Sequence, residues 1–151
     1  MKLYKALVRP VVVYGSECWV LTENIKQKLL VFERKILRTF DPTQKTNGEW
    51  RLKINEELEE TIIKENIVRY IKYKRLGWLR HVERMTNERV AKTIYKWKPY
   101  ATRQKGRPRV RWEDDVRNDL RKMGVNNWKQ TTQERKKWKE IIVQTKTHKE
   151  L

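Results

Sequence analysis

The sequence predicts an all-α fold of two small helical subdomains with no sheet. Three observations carry that expectation. Apolar residues recur at three- and four-residue intervals in every long segment, and no apolar stretch alternates with the period of two that a half-buried strand requires. Only five glycines and four prolines interrupt 151 residues. Seven tryptophans and six tyrosines supply packing material that disordered chains lack.

The first element, "MKLYKALVRPVVVYGSECWVL", sets Leu3, Leu7 and Val11 at helical spacing. Pro10 lacks an amide donor and should bend or divide it, and Gly15 marks its end. Thr22 is placed to cap the next helix, with Glu23 in its first turn. There Ile25, Leu29, Phe32, Ile36 and Phe40 form one apolar stripe, which Asp41-Pro42 stops. The polar stretch "PTQKTNGEW" reads as a boundary. A short helix follows Asn55, with Glu56 and Glu57 near its positive end.

The longest helical candidate covers 64–85. Ile67, Ile71, Trp78, Val82 and Met85 recur on one stripe, while Arg69, Lys72, Lys74 and Arg84 occupy other faces. Gly77 inside it costs about 1 kcal/mol against Ala. After a short helix ending near Trp97, Pro99, Gly106 and Pro108 make 98–109 a loop. A helix resumes around Val110 with Trp112, Val116, Leu120 and Met123 inward and Gly124 at the C′ position. A last helix, starting near Thr132, buries Trp138 and Ile142.

Lys and Arg number 37 against 19 Asp and Glu, a formal charge of +18. Such an excess is relieved by a polyanion that supplies counter-charge, so RNA or DNA is the leading partner and an anionic membrane surface the second. No stretch approaches the ~20 apolar residues that span a bilayer. No signal-peptide pattern opens the chain, so a nuclear or cytoplasmic location is expected. Cys18 is the sole cysteine and reads as a small buried residue; with His81 and His148 it cannot build a zinc element. No cofactor is expected.

Two basic regions are candidate sites. In "RQKGRPRVRWEDD", Arg103, Lys105, Arg107, Arg109 and Arg111 alternate, so an extended backbone would present them on one side at ~6.6 Å spacing, near the phosphate repeat. Gly106 permits close approach of the backbone, and Pro108 biases Arg107 toward extended geometry. The Gly-Arg-Pro core is similar to an AT-hook, although a Trp-containing helix follows at once. A solvated loop is the competing reading. The second region is Lys72, Lys74, Arg75, Arg80 and Arg84 on the long helix. Trp78 in their midst could stack on a base, but its spacing with Ile71 and Val82 favours core. His81, with no Cys or His partner, is expected to be structural.

Asp114 and Asp115 raise the question of a metal. A two-metal site needs carboxylates converging from separate elements, whereas neighbours on a helix point about 100° apart. They read instead as first-turn acids that complement the helix dipole, with Asp115 placed to pair with Arg111. A magnesium nuclease built on Glu113, Asp114, Asp115 and Asp119 is the rejected alternative.

The phrases "LYKALVRPVVVYGSECWVL", "VFERKILR", "IKYKRLGWLRHVERM", "GRPRVRWEDDVRNDL" and "ERKKWKEI", in that order over residues 3–142, resemble the carboxy-terminal part of non-LTR retrotransposon polyproteins, downstream of the reverse transcriptase palm. The resemblance implies a thumb-like helical unit at 1–41, a linker at 42–50 and a basic helical linker region at 51–151 that grips RNA or target DNA. It also implies a non-catalytic chain. Asp114 and Asp115 follow Trp112-Glu113 on a helix and are not the palm pair, no nuclease domain is present, and the Cys and His element of some relatives is missing. On this reading Met1 opens a truncated element copy, a mis-split gene model or a remnant adopted by a host. The apolar face of residues 3–40, which would meet a palm, is left either open to a protein partner or covered by self-association.

Overall fold

A computed structural model describes residues 2–40, 43–44, 47–62, 65–97 and 111–148, with the side chains of 43–44 left aside. The fold is all-α. A π-helical segment, Tyr4–Val8, runs into α1 (Arg9–Val12), and a 3₁₀ turn follows at Ser16–Cys18. Then come α2 (Glu23–Phe40), α3 (Asn55–Thr61), α4 (Ile67–Arg84), α5 (Val90–Lys96), α6 (Trp112–Lys122), α7 (Trp128–Thr131) and α8 (Arg135–Thr145). Between α2 and α3, Thr43–Gln44 and Trp50–Arg51 pair antiparallel, two residues to a strand, inside the stretch read as a boundary.

Local chemistry explains these limits. Pro10 donates no amide hydrogen to the preceding turn, and the chain there adopts the wider π register, with the Arg9 amide bonded to the Tyr4 carbonyl. Gly15, at φ 67°, ends this unit. The Thr22 hydroxyl accepts from the Ile25 amide at 3.4 Å, and the Asn66 side chain caps α4 by accepting from the Arg69 amide at 2.9 Å. Gly124, at φ 73°, closes α6 while the Val125 amide bonds the Leu120 carbonyl at 2.9 Å.

Helix α4 is the spine: it packs against the 3₁₀ turn, α2, α5, α6 and α8. Its N-terminal half buries Ile67, Val68 and Ile71 with Val13 and Leu21. Its C-terminal half buries Leu76 and Leu79 with Val116, Leu120 and Trp138, whose indole donates to the Leu76 carbonyl at 3.2 Å. A third cluster joins Tyr4, Leu37, Leu58 and Ile62.

Several helices bury a different face from the one their spacing predicted. Leu3, Leu7 and Val11 are 59%, 63% and 77% exposed, and Tyr4, Val8 and Val13 turn inward instead. On α2, Ile25 and Phe40 are exposed while Glu33 and Leu37 are buried. On α4 the buried arc is rotated toward Lys72, Arg75, Leu76 and Leu79, which leaves Trp78 and Met85 half-buried. Cys18, expected inside, is exposed. In the first segment, α2 and α4, buried carboxylates and cations bond across the interior, and their partners fix the rotation.

Glu33 shows how. Its carboxylate accepts from the Tyr4 hydroxyl at 2.7 Å and from the Ile67 amide at 2.9 Å, tying α2 to the first segment and to the start of α4. Burial pushes its carboxyl above the ordinary range, against the pull of those two donors and of Arg9. A carboxyl raised in the folded state contributes most stability below its unfolded value of about 4.3 and loses it as pH rises through the folded value. The stability of the native protein relative to Glu33→Gln should therefore be most favourable near pH 4 and decline toward pH 7, as read by urea unfolding of both proteins across that range.

Candidate nucleic-acid interface

The cations of α4 divide by position. Lys72 and Arg75, three apart, face the interior, where Asp115 and Asp119, four apart on α6, meet them. The Lys72 ammonium lies 2.7 Å from Asp119, and the Arg75 guanidinium 2.8 Å from Asp115 and 3.6 Å from Asp119. The second Asp115 role is to accept the Leu21 amide at 3.0 Å. Lys72 and Arg75 are 1% and 0% exposed. Burial holds the Lys72 ammonium below its ordinary range, with Asp119 pulling the other way.

This revises two expectations. Lys72 and Arg75 are not available to a phosphate, because each is enclosed and engaged by carboxylate. Asp115 is turned to Arg75, forty positions away, rather than to Arg111. Lys74 is half-buried and paired with Glu17 at 2.6 Å. Among the described residues, no cluster of three His, Cys, Asp or Glu could hold a metal ion. No helix among them is long and apolar enough to cross a membrane.

The C-terminal third of α4 is built differently. Gly77, Arg80, His81 and Arg84 recur at helical spacing and line a surface groove of about 640 Å³ with Met85, Thr86 and Arg89. No carboxylate is among these lining residues, and among the described residues Arg80, Arg84 and Arg89 make no ion pair. The Arg80 Nε is buried without a hydrogen-bond partner. Loss of hydration, followed by repulsion from Arg84 and from Arg135 on α8, depresses the Arg80 pKa. Behind the groove, the buried Lys92 ammonium bonds both the Glu83 carbonyl and the Glu83 carboxylate at 2.8 Å. That bond takes up one of the carbonyls that would otherwise project negative charge from the end of α4. The groove is thus cationic and carries an unspent donor.

Trp78, expected in the core, is half-buried beside this groove, and the exposed His81 ring lies against it with centroids 5.3 Å apart. Arg111 is half-buried at the start of α6 and lines a separate cavity of about 600 Å³. Glu83, Glu113 and Asp114 also line that cavity, so its field is mixed. Arg103, Lys105, Gly106, Arg107 and Arg109, with the loop they were assigned to, lie outside the described residues. Sequence reasoning missed Arg89 and Arg135 as neighbours of Arg80. Their signal is weak: each follows a glutamate in a polar connection, and only the folded path brings them to α4.

No protein-family model matches the chain, and no solved structure matches it significantly. Among curated proteins it is similar to a protein of Caenorhabditis elegans described as uncharacterized and transposon-derived, at 23% identity over 154 residues. That alignment covers 98% of this chain and 55% of the worm protein, so the chain spans little more than half the length of this relative. The similarity points to a transposon-related origin.

The inner charge cluster makes a stability prediction. Asp115→Ala removes the carboxylate from a buried guanidinium and from the Leu21 amide, and should cost about 3–5 kcal/mol in urea unfolding. Replacing both partners, as Arg75→Met with Asp115→Leu, should recover much of that loss, because no buried charge is then left alone.

Proposed function

We propose that this chain is a transposon-related nucleic-acid-binding module that does no chemistry itself and holds the phosphate backbone of RNA or DNA. One observation carries the reading: Arg80, Arg84 and Arg89 share a groove lined by no carboxylate, on a protein whose formal charge is +18. Arginine suits this role because its planar fork can place two donors on one phosphate. The engagement of the acids supports the non-catalytic reading. Asp115 and Asp119 are committed to Arg75 and Lys72, which leaves neither to hold a magnesium ion over a scissile phosphate.

We read the chain more finely as the thumb and basic linker region of a non-LTR retrotransposon reverse transcriptase. The five ordered phrases and the similarity to a transposon-derived protein support that reading. A second reading, a host-adopted interaction protein, is favoured by a different observation. Leu3, Leu7, Val11 and Tyr14 are 59–85% exposed at the N-terminal end, a larger apolar display than a lone helix face normally leaves to water.

Backbone binding has a salt signature. If about six phosphates are neutralised, affinity for RNA or duplex DNA should fall on the order of 10³-fold between 50 and 200 mM salt. The variant Arg80→Gln/Arg84→Gln/Arg89→Gln should bind more weakly and reduce the slope of log K against log salt by about three. Fluorescence anisotropy over a salt series reads both quantities. An unchanged slope in the triple variant would remove the groove from the interface, and magnesium-dependent cleavage of the probe, lost in Asp115→Asn, would sink the non-catalytic reading.

A further inference from the structure

The groove has a neighbour of opposite chemistry. On α4, Gly77, Arg80, His81 and Arg84 share one side, and Trp78 and Val82 lie on the next side round. There Trp78 lines a slot of about 300 Å³ whose other described walls are Cys18, Val82, Ala91, Ile94, Tyr95 and Trp112. None of these is charged. Trp78 lines the slot and His81 the groove, and the two rings are in tilted contact, their planes at 41°.

The slot is open. Cys18 and Ala91 at its edge are exposed, and Ile94 is 67% exposed. Two of its polar groups are already engaged. The Trp112 indole donates to the Glu17 carbonyl at 2.7 Å, and the Tyr95 hydroxyl donates to Glu113 at 3.3 Å. Aromatic faces and methyl groups dominate what remains, with the Trp78 indole N–H and the Cys18 thiol as the free polar groups among the described residues, which suits a flat aromatic guest and offers little hydrogen-bond discrimination.

Charge decides the guest. A polyanion whose phosphates lie on Arg80, Arg84 and Arg89 carries bases at its side, one helical step from the slot. In a duplex those bases are stacked and paired inward, and reaching a side pocket would require flipping one out. In a single strand they are free to stack on an aromatic side chain. We propose that Trp78 and the slot beside it receive an unstacked base of a single-stranded nucleic acid held by the arginine groove. The proposal rests on the reading of that groove as a backbone site. It makes the interface selective for strand state and tolerant of base sequence.

The test compares short single-stranded DNA and RNA oligonucleotides with the corresponding duplex, by fluorescence anisotropy at fixed salt. Trp78→Leu should weaken single-strand binding about tenfold and leave duplex binding unchanged, while Trp78→Phe, which keeps a ring, should retain most of the affinity. An abasic strand of the same length needs no variant: the native protein should bind it about as weakly as Trp78→Leu binds the normal strand. Equal loss on single strand and duplex, no loss on either, or undiminished binding of the abasic strand would overturn the proposal and leave the slot for an apolar protein side chain. Absence of salt-dependent binding to any of these probes would instead remove the backbone reading beneath it, so the two failures are distinct.

Discussion

Two buried cations on α4 facing two carboxylates on α6 set this molecule's internal alignment. Lys72 and Arg75 are spaced three apart and Asp115 and Asp119 four apart, so the four charges meet only when one face of each helix is turned to the other. A buried ion pair is a weak source of net stability, because desolvation consumes much of the attraction. Its effect on alternatives is larger. Rotating α4 so that Ile67, Ile71, Trp78 and Met85 all pointed inward would carry Lys72 and Arg75 away from their partners and strand Asp119 in the interior. The Leu21 amide on Asp115 extends the same constraint to the chain entering α2.

That constraint explains what could and could not be read in the sequence. Helices were legible because apolar recurrence and local stop signals are written in neighbouring residues: Thr22, Asn55 and Gly124 each stand at the predicted end. The buried face of each helix was less legible. Counting apolar residues along α4 weights Trp78 and Met85 as core and Lys72 and Arg75 as surface, since lone Lys and Arg are almost never fully buried. The information that inverts this weighting sits forty or more residues away, at Asp115 and Asp119. Matched spacing, cations at i and i+3 against acids at i and i+4, was the available clue, although many pairs of helices in so charged a chain satisfy it. Glu33 is likewise placed by distant partners, Tyr4 and the Ile67 amide.

The candidate site follows from the same division of labour. Helix α4 turns Lys72 and Arg75 to the interior and leaves Arg80 and Arg84 toward the surface, so one continuous element carries both the internal anchor and the proposed contact. Arg80 and Arg84 could be listed from sequence, whereas the groove could not. Its far wall comes from Arg89 beyond the helix end, with Arg135 approaching from α8. The Lys92 bond to the Glu83 carbonyl and carboxylate shapes the same end by holding α5 against α4.

The apolar N-terminal surface has a consequence of a different kind. Leu7, Val11 and Tyr14 are exposed on a chain whose surplus positive charge makes identical copies repel one another. Added electrolyte shortens the reach of that repulsion to about 8 Å at physiological strength and 3 Å at 1 M. If the groove holds a polyanion as proposed, the ions that loosen it thus also weaken the barrier between apolar ends of neighbouring molecules. On that proposal, colloidal behaviour and ligand occupancy are coupled to one solution variable, in opposite senses: conditions that free the groove favour self-adhesion, and conditions that fill it favour dispersal.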